Sequence, residues 1–356
     1  MKQLALHGAL LGHHKTSRVT RLWSLFALLA ALLLAPMAGA RSPDAPSLLE
    51  QLGLTSRQLE GIGSKVLTSE LDVVNGKREA ALIALVRIDP AGDEILDSEG
   101  SGWSALMDSP RLGGLYDSSK PDGGLDQLTF PEEDNDLFAS CRVDNCRFKL
   151  DARGIQEAVQ ATAGKGDINA LTVSVRNSLV RIMSDYQAGG PENLSPYADK
   201  PGSPSRSQPI RHLEASTQDW LQFYPDLNHH LQTFPANEAS SVTDRFQWNL
   251  SSVGLRETVL LEHVAWSEVG SQPGFGRALA LRTLYASHYL EARLQIAMVL
   301  DGPTVLGQPG TFLLTIDRVH FDEDVGFIKK SLLKRALSKK AKERLSGLHQ
   351  ETRTAG

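Results

Sequence analysis

The sequence predicts an α+β protein: a curved antiparallel sheet packed against a long C-terminal helix, with a helical insertion in the middle of the chain. Three observations predict it. From Arg282 to Met298 the chain alternates, with Arg282, Leu284, Ala286, His288, Leu290, Ala292, Leu294, Ile296 and Met298 on one face. Thr283, Tyr285, Ser287, Tyr289, Glu291, Arg293 and Gln295 fall on the other, which reads as one long strand. The chain then ends in an amphipathic helix with Ile328, Leu332, Leu333, Ala336, Leu337, Ala341, Leu345 and Leu348 on its apolar side. Earlier, Leu171, Val175, Leu179, Ile182 and Tyr186 recur at helical spacing. Consecutive strands with helices grouped apart from them give the α+β class.

Taken in order, residues 1–40 read as a secretory signal. Lys15, Arg18 and Arg21 precede the apolar run Leu22 to Ala35, and Ala38-Gly39-Ala40 supplies small residues before a cleavage point. The run is roughly fourteen residues, shorter than the about twenty that a membrane span needs. Removing residues 1–40 leaves 33 Lys and Arg against 42 Asp and Glu, a net charge of −9. Nothing in that overall balance suggests nucleic acid, which asks for a basic stripe on a basic domain, and no nucleic-acid partner is expected. The expected location is therefore outside the cytoplasm, periplasmic or secreted.

Cys141 and Cys146 are the two cysteines of the chain. They bracket Asp144-Asn145, a turn dipeptide, and in an exported protein that spacing predicts a disulfide across a tight loop. A redox centre would need two residues between the cysteines, and an attached haem would need a histidine where Arg147 stands.

Val73-Val74-Asn75-Gly76 predicts a hairpin turn, with positive φ at Asn-Gly. The following strand, Ala80 to Ile88, is apolar on both faces and should lie inside the sheet. Gly92 to Asp126 reads as irregular with a short helix or two, and the acidic run Pro131 to Asp136 as a solvated loop lacking the ligand pattern of a calcium site. A helix should begin near Asp151, and Gly189-Gly190-Pro191 should end the Leu171–Tyr186 helix. Prolines 191, 196, 201, 204 and 209 mark residues 191–210 as a linker or loop. It divides an N-terminal α+β part, 41–190, from the strands and terminal helix of 211–356, though the two can form one domain. Leu213 to Phe234 reads as short helices broken at Pro225 and Pro235. Val242 to Leu250, Thr258 to Trp266 and Thr311 to Phe321 read as strands, with Asp301-Gly302-Pro303 as a turn.

Two short patterns, C-R-V-D-N-C-R-F-K-L at Cys141–Leu150 and Y-A-S-H-Y at Tyr285–Tyr289, together resemble a family of uncharacterised exported bacterial proteins. Separately, an early strand followed by Asp-Pro, late antiparallel strands and a final long helix is similar to the helix-grip layout of START-like lipid-binding domains. That likeness implies a cavity for a hydrophobic molecule, and the helical region from Ala170 to Phe234 departs from it.

Common catalytic signatures are absent: no G-x-S-x-G, no H-E-x-x-H, no phosphate-cradling loop. Ser331-Leu332-Leu333-Lys334 matches S-x-x-K without its companion motifs. His263, His288 and Arg282 are the candidate ligand-binding residues, because each falls on an apolar strand face where a polar group must find a partner. A structural hydrogen bond, a polar anchor in an apolar cavity and acid–base chemistry all fit that placement. His212, His229 and His230 read as exposed polar residues, and neither a metal nor another cofactor is expected. The basic terminal helix, with Lys330, Lys334, Arg335, Lys339, Lys340 and Lys342, can contact anionic lipid peripherally. The first functional expectation is an exported, non-catalytic binding protein for a lipid-like or other hydrophobic small molecule. The alternatives are an envelope interaction or structural protein with a filled core, and a hydrolase with unrecognised catalytic residues.

Overall fold

The alternation that continues without a break from Arg282 to Met298 conceals a hairpin. In the computed structural model, β6 (Phe275–Ala286) and β7 (Leu290–Asp301) are antiparallel neighbours joined by Ser287-His288-Tyr289. Arg282 pairs with Leu294. Both numbers are even, so an alternation counted through the turn keeps its phase and hides the reversal. Tyr289 carries the turn at φ 64°, a conformation uncommon for a bulky residue.

The structure describes residues 65–88, 112–130, 132–163, 167–236, 241–252 and 256–354. All lie within one compact unit, Ala45–Gly356. The expected signal over 1–40 and the Asp89-Pro90 strand end lie outside these residues. In chain order the other strands and α-helices are β1 (Leu67–Glu70), β2 (Glu79–Arg87), β3 (Leu112–Leu115), α1 (Glu133–Ala139), α2 (Ala152–Thr162), α3 (Ile168–Gly189), α4 (Ser207–Ala215), α5 (Gln218–Leu221), α6 (Pro225–Thr233), β4 (Val242–Ser252), β5 (Glu257–Ser267), β8 (Thr311–Phe321) and α7 (Phe327–Thr354), with short helical turns at Gly190–Asn193 and Gly302–Leu306.

The strands form one antiparallel eight-stranded open sheet in the order β1-β2-β8-β7-β6-β5-β4-β3. One face carries Ile83, Leu261, Ala280, Leu294 and Ile316, which pack with side chains of α1 to α6 such as Phe138, Leu179, Leu213 and Leu231. The opposite face carries Leu82, Ala84, Leu279, Leu281 and Val299, covered by Ala341, Leu345 and Leu348 of α7. The inner strand β2 is therefore buried on both sides, with every residue but Arg87 buried, while the edge strands β1 and β3 are partly exposed.

Local chemistry sets several of these boundaries. Asp151 caps α2, its carboxylate accepting from Gly154 N at 2.6 Å, and Asp167 caps α3 by accepting from Asn169 N at 2.9 Å. Gly190 ends α3 at φ 68°, and a Cβ there would stand 2.3 Å from the Phe234 carbonyl oxygen. Pro225 opens α6, where its missing N–H costs nothing.

The disulfide joins Cys141 and Cys146, with Asp144 at φ 68° inside its loop. Its presence fits an oxidising compartment. Among the described residues, no helix is long and apolar enough to cross a membrane.

Four readings are corrected. The β1–β2 turn forms at Asn75-Gly76, but neither has positive φ. Instead the Asn75 carboxamide oxygen accepts from Lys77 N and Arg78 N, both at 3.3 Å, a side-chain turn rather than a two-residue hairpin. Leu112–Leu115, within the stretch read as irregular, forms edge strand β3 on β4. The acidic run opens α1, since carboxylates favour a helix N-terminus. Leu332 and Ala336 of α7 face solvent, Leu332 with 59% exposure, so the buried stripe is narrower than the sequence pattern.

Candidate functional site

The helix-facing side of the sheet carries a belt of buried charged and polar groups among apolar ones. β4 presents Asp244, Phe246, Trp248 and Leu250 to this face by strict alternation. β5 presents His263 between Leu261 and Ala265, and β6 presents Arg282 between Ala280 and Leu284. Register places Phe246 opposite His263, and His263 opposite Arg282. The helices bring Tyr186 from the last turn of α3, Glu214 from α4 and His230 from α6.

These groups form one chain of hydrogen bonds. Asp244 Oδ1 accepts from His263 Nε2 at 2.7 Å and from His230 Nε2 at 2.8 Å. A carboxylate can only accept, so Nε2 carries the proton of neutral His263, and its Nδ1 accepts from the Tyr186 hydroxyl at 2.7 Å. Tyr186 in turn accepts from Arg282 Nη1 at 2.6 Å. Arg282 Nη2 donates to the Leu231 carbonyl at 2.6 Å and pairs with Glu214. Glu214 also meets Arg211 Nη1 at 2.9 Å.

Aromatic rings wall the cluster. Phe234 stacks on Tyr186 at 5.0 Å, and Phe246 stacks on the His263 ring at 4.8 Å. Tyr186 and His263 have no exposed surface and Arg282 has 1%, while the cluster reaches solvent at its ends, through Asp244 at 24% and Arg211 at 31%.

Burial controls the protonation states. It pushes the His263 imidazole down to about 4 against the opposing pull of Asp244, and the Tyr186 phenol up to about 12 against the pull of Arg282. For Asp244 burial acts upward, but the hydrogen bonds from His230 and His263 outweigh it and hold the carboxyl well below its usual range. For Arg282 burial acts downward, and Glu214 and Tyr186 more than offset it. At neutral pH the His263 imidazole and the Tyr186 phenol are therefore neutral, while Asp244 and Arg282 are ionised.

The structure thus brings together two of the three sequence-derived candidates, His263 and Arg282. His288 stands apart, in the β6–β7 turn rather than on the apolar strand face. Its ring packs edge-on against Phe148 at 5.4 Å, beside the disulfide segment, and burial pushes it down to about 4. Tyr285 faces Leu284's side of the sheet, not the opposite one. The register slips between Leu261 and Glu262, leaving Leu284 as an extra residue, and the Tyr285 hydroxyl donates to the Lys149 carbonyl at 2.7 Å. His230 is 2% exposed rather than a surface residue, while His212 is partly exposed and pairs with Glu79 at 3.0 Å.

Sequence reasoning missed Asp244, Tyr186 and Glu214. For Asp244 a signal was present: it shares the parity of Phe246, Trp248 and Leu250, a charge on an apolar face. Chemically, the cluster can orient groups rigidly and hold a charge near Asp244, and its buried tyrosine and imidazole cannot meet a substrate without opening. Compared with models of protein families, with curated proteins and with solved structures, the chain matches none.

Proposed function

We propose that the chain is an exported, non-catalytic interaction protein with a filled core, which docks on anionic lipid through the outer side of α7. The observation that carries the reading is the division of that helix. Ala341, Leu345 and Leu348 are spent on the sheet, while Arg335, Lys339 and Lys342 face outward beside Leu332 and Ala336. Arg335 and Lys342 make no ion pair among the described residues, and Lys339 has only an exposed partner, Glu343, at 3.7 Å. Such exposed pairs contribute little. Each basic side chain near an anionic bilayer contributes about 1 kcal/mol, so three suffice for reversible contact.

A filled core is supported by what occupies the helix side: Trp248, Tyr186, Tyr224, Tyr285, Arg206 and Arg282 are all essentially fully buried there. Binding of protein from an expressing bacterium to phosphatidylglycerol vesicles, against phosphatidylcholine vesicles, tests the docking. A cleft between α7 and the sheet, lined by Leu82, Leu279, Leu281, Ala341 and Leu345, favours the second reading, a bound hydrophobic small molecule. Its volume is about 30 Å³, room for a water and little more, so α7 must lift to admit such a ligand. A stoichiometric compound in an organic extract of the purified protein, identified by mass spectrometry, would favour that reading instead.

A further inference from the structure

The Asp244 carboxylate is partly open to solvent and approached by two imidazoles, yet no lysine or arginine among the described residues stands within ion-pair distance of it. Arg282, the nearest buried cation in the cluster, is occupied by Tyr186, Leu231 and Glu214. An uncompensated carboxylate between two imidazoles is the donor set of a metal site.

We propose that His230, Asp244 and His263 bind a first-row divalent metal ion, Zn²⁺ foremost. The two Nε2 atoms and Oδ1 all lie within 4.8 Å of one another, each Nε2 under 3 Å from Oδ1. Ligand atoms about 2.0–2.1 Å from a tetrahedral Zn²⁺ stand roughly 3.3 Å apart, so each imidazole–carboxylate distance must open by about half an ångström, while the two imidazole nitrogens, within 4.8 Å of each other, adjust by a side-chain rotation. Two imidazoles and one carboxylate oxygen suit borderline divalent ions better than Ca²⁺ or Mg²⁺, which prefer all-oxygen sets. Three protein ligands leave a fourth position, and the exposed edge of Asp244 places it toward solvent.

The surroundings of His263 suit a ligand. Metal binding at Nε2 moves its proton to Nδ1, and Tyr186, anchored by Arg282, then turns from donor to acceptor. His230 Nδ1 has no hydrogen-bond partner among the described residues. Binding leaves it unpaired as well, so His230 is the less firmly oriented of the two imidazoles. The site goes beyond the docking surface on α7 and shares no residue with it.

The test uses untagged full-length protein, stripped with a chelator and titrated with ZnCl₂, and with CoCl₂ as a visible-absorbing probe. The expected result is one equivalent of Zn²⁺ bound at micromolar Kd or tighter. Tm should rise by roughly 5–10 °C at a hundredfold excess over Kd. Asp244→Asn keeps an oxygen acceptor but removes the charge, and should bind at least tenfold more weakly while its Tm in chelator stays near wild type. Wild-type protein without saturable binding overturns the proposal. So does undiminished binding by Asp244→Asn, which would assign the metal to other residues. Should Asp244→Asn not fold, His230→Gln is read the same way. Should neither fold, the wild-type protein decides: a one-to-one, Zn²⁺-dependent rise in Tm supports the site, and no rise overturns it.

Discussion

His263 and Arg282 stand opposite each other on neighbouring strands, and the Tyr186 hydroxyl joins them, 2.7 Å from one and 2.6 Å from the other. One phenol on α3 thus fixes a helix to two strands. Removing it in Tyr186→Phe leaves His263 Nδ1 and Arg282 Nη1 short of a partner in a site closed to water. The expected loss is about 1–3 kcal/mol, read as a lower urea midpoint at unchanged m-value. A double-mutant cycle with Arg282→Leu should show coupling above about 0.5 kcal/mol; strict additivity would break the proposed chain.

Arg282 and His288 should behave independently. They share a parity in the sequence, but one ring packs on Phe148 and the other side chain sits against Tyr186 and Glu214. The effects of Arg282→Leu and His288→Leu on unfolding should add within about 0.5 kcal/mol. Arg282→Leu should cost more, because it leaves Glu214 buried beside one fewer cation. Strong coupling between the two substitutions would mean that both reach one cavity.

Acidification should weaken the fold well above the usual carboxylate range. Burial pushes the imidazoles of His263 and His288 both down to about 4 in the folded chain, against an ordinary value of about 6.5. Between those values the unfolded chain binds protons that the folded one refuses. Stability contributed by keeping these rings neutral is present above about pH 6.5 and is lost progressively as pH falls toward 4. The cost is on the order of 1–3 kcal/mol per ring at the lower end. Urea unfolding from pH 7 to pH 4 should show this slope, and His288→Leu should make it shallower; a flat profile would contradict buried neutral imidazoles.

The Cys141–Cys146 bond closes a small loop, and its removal should be tolerated better than that of a long-range bridge. The loop-closure estimate for so short a ring is roughly 2 kcal/mol. Cys141→Ser with Cys146→Ser should lower stability by about that much. Thiol titration of denatured, unreduced wild-type protein should find no free thiol, and two free thiols would dispose of the bond.

Much of the fold was legible because periodicity and caps act locally. Thr311–Phe321 could be read to the residue, and Asp151 and Gly190 bound helices by the chemistry their positions suggest. The β6–β7 reversal was not legible for a physical reason. Its turn is Ser-His-Tyr, with no Gly, Asn, Asp or Pro, and the positive φ falls on Tyr289. The site was half legible. His263 and Arg282 betray themselves as polar residues on apolar faces. Tyr186 does not, since it completes the helical row Leu171, Val175, Leu179 and Ile182 as any core residue would. His230 lies one place after another histidine, and only the packing of α6 on the sheet decides which of the pair is buried.

The docking of α7 on anionic lipid is tested most directly by vesicle sedimentation with wild-type protein and with Arg335→Gln, Lys339→Gln, Lys342→Gln combined. Those side chains face outward, so the variant should fold and melt as wild type does. Wild-type protein should sediment with phosphatidylglycerol vesicles and remain in solution with phosphatidylcholine vesicles, and its binding should fall as salt rises. The triple variant should partition roughly a hundredfold more weakly, about 1 kcal/mol lost for each charge removed. Wild-type protein that ignores anionic vesicles at low salt, or a triple variant that binds them equally well, would contradict the account.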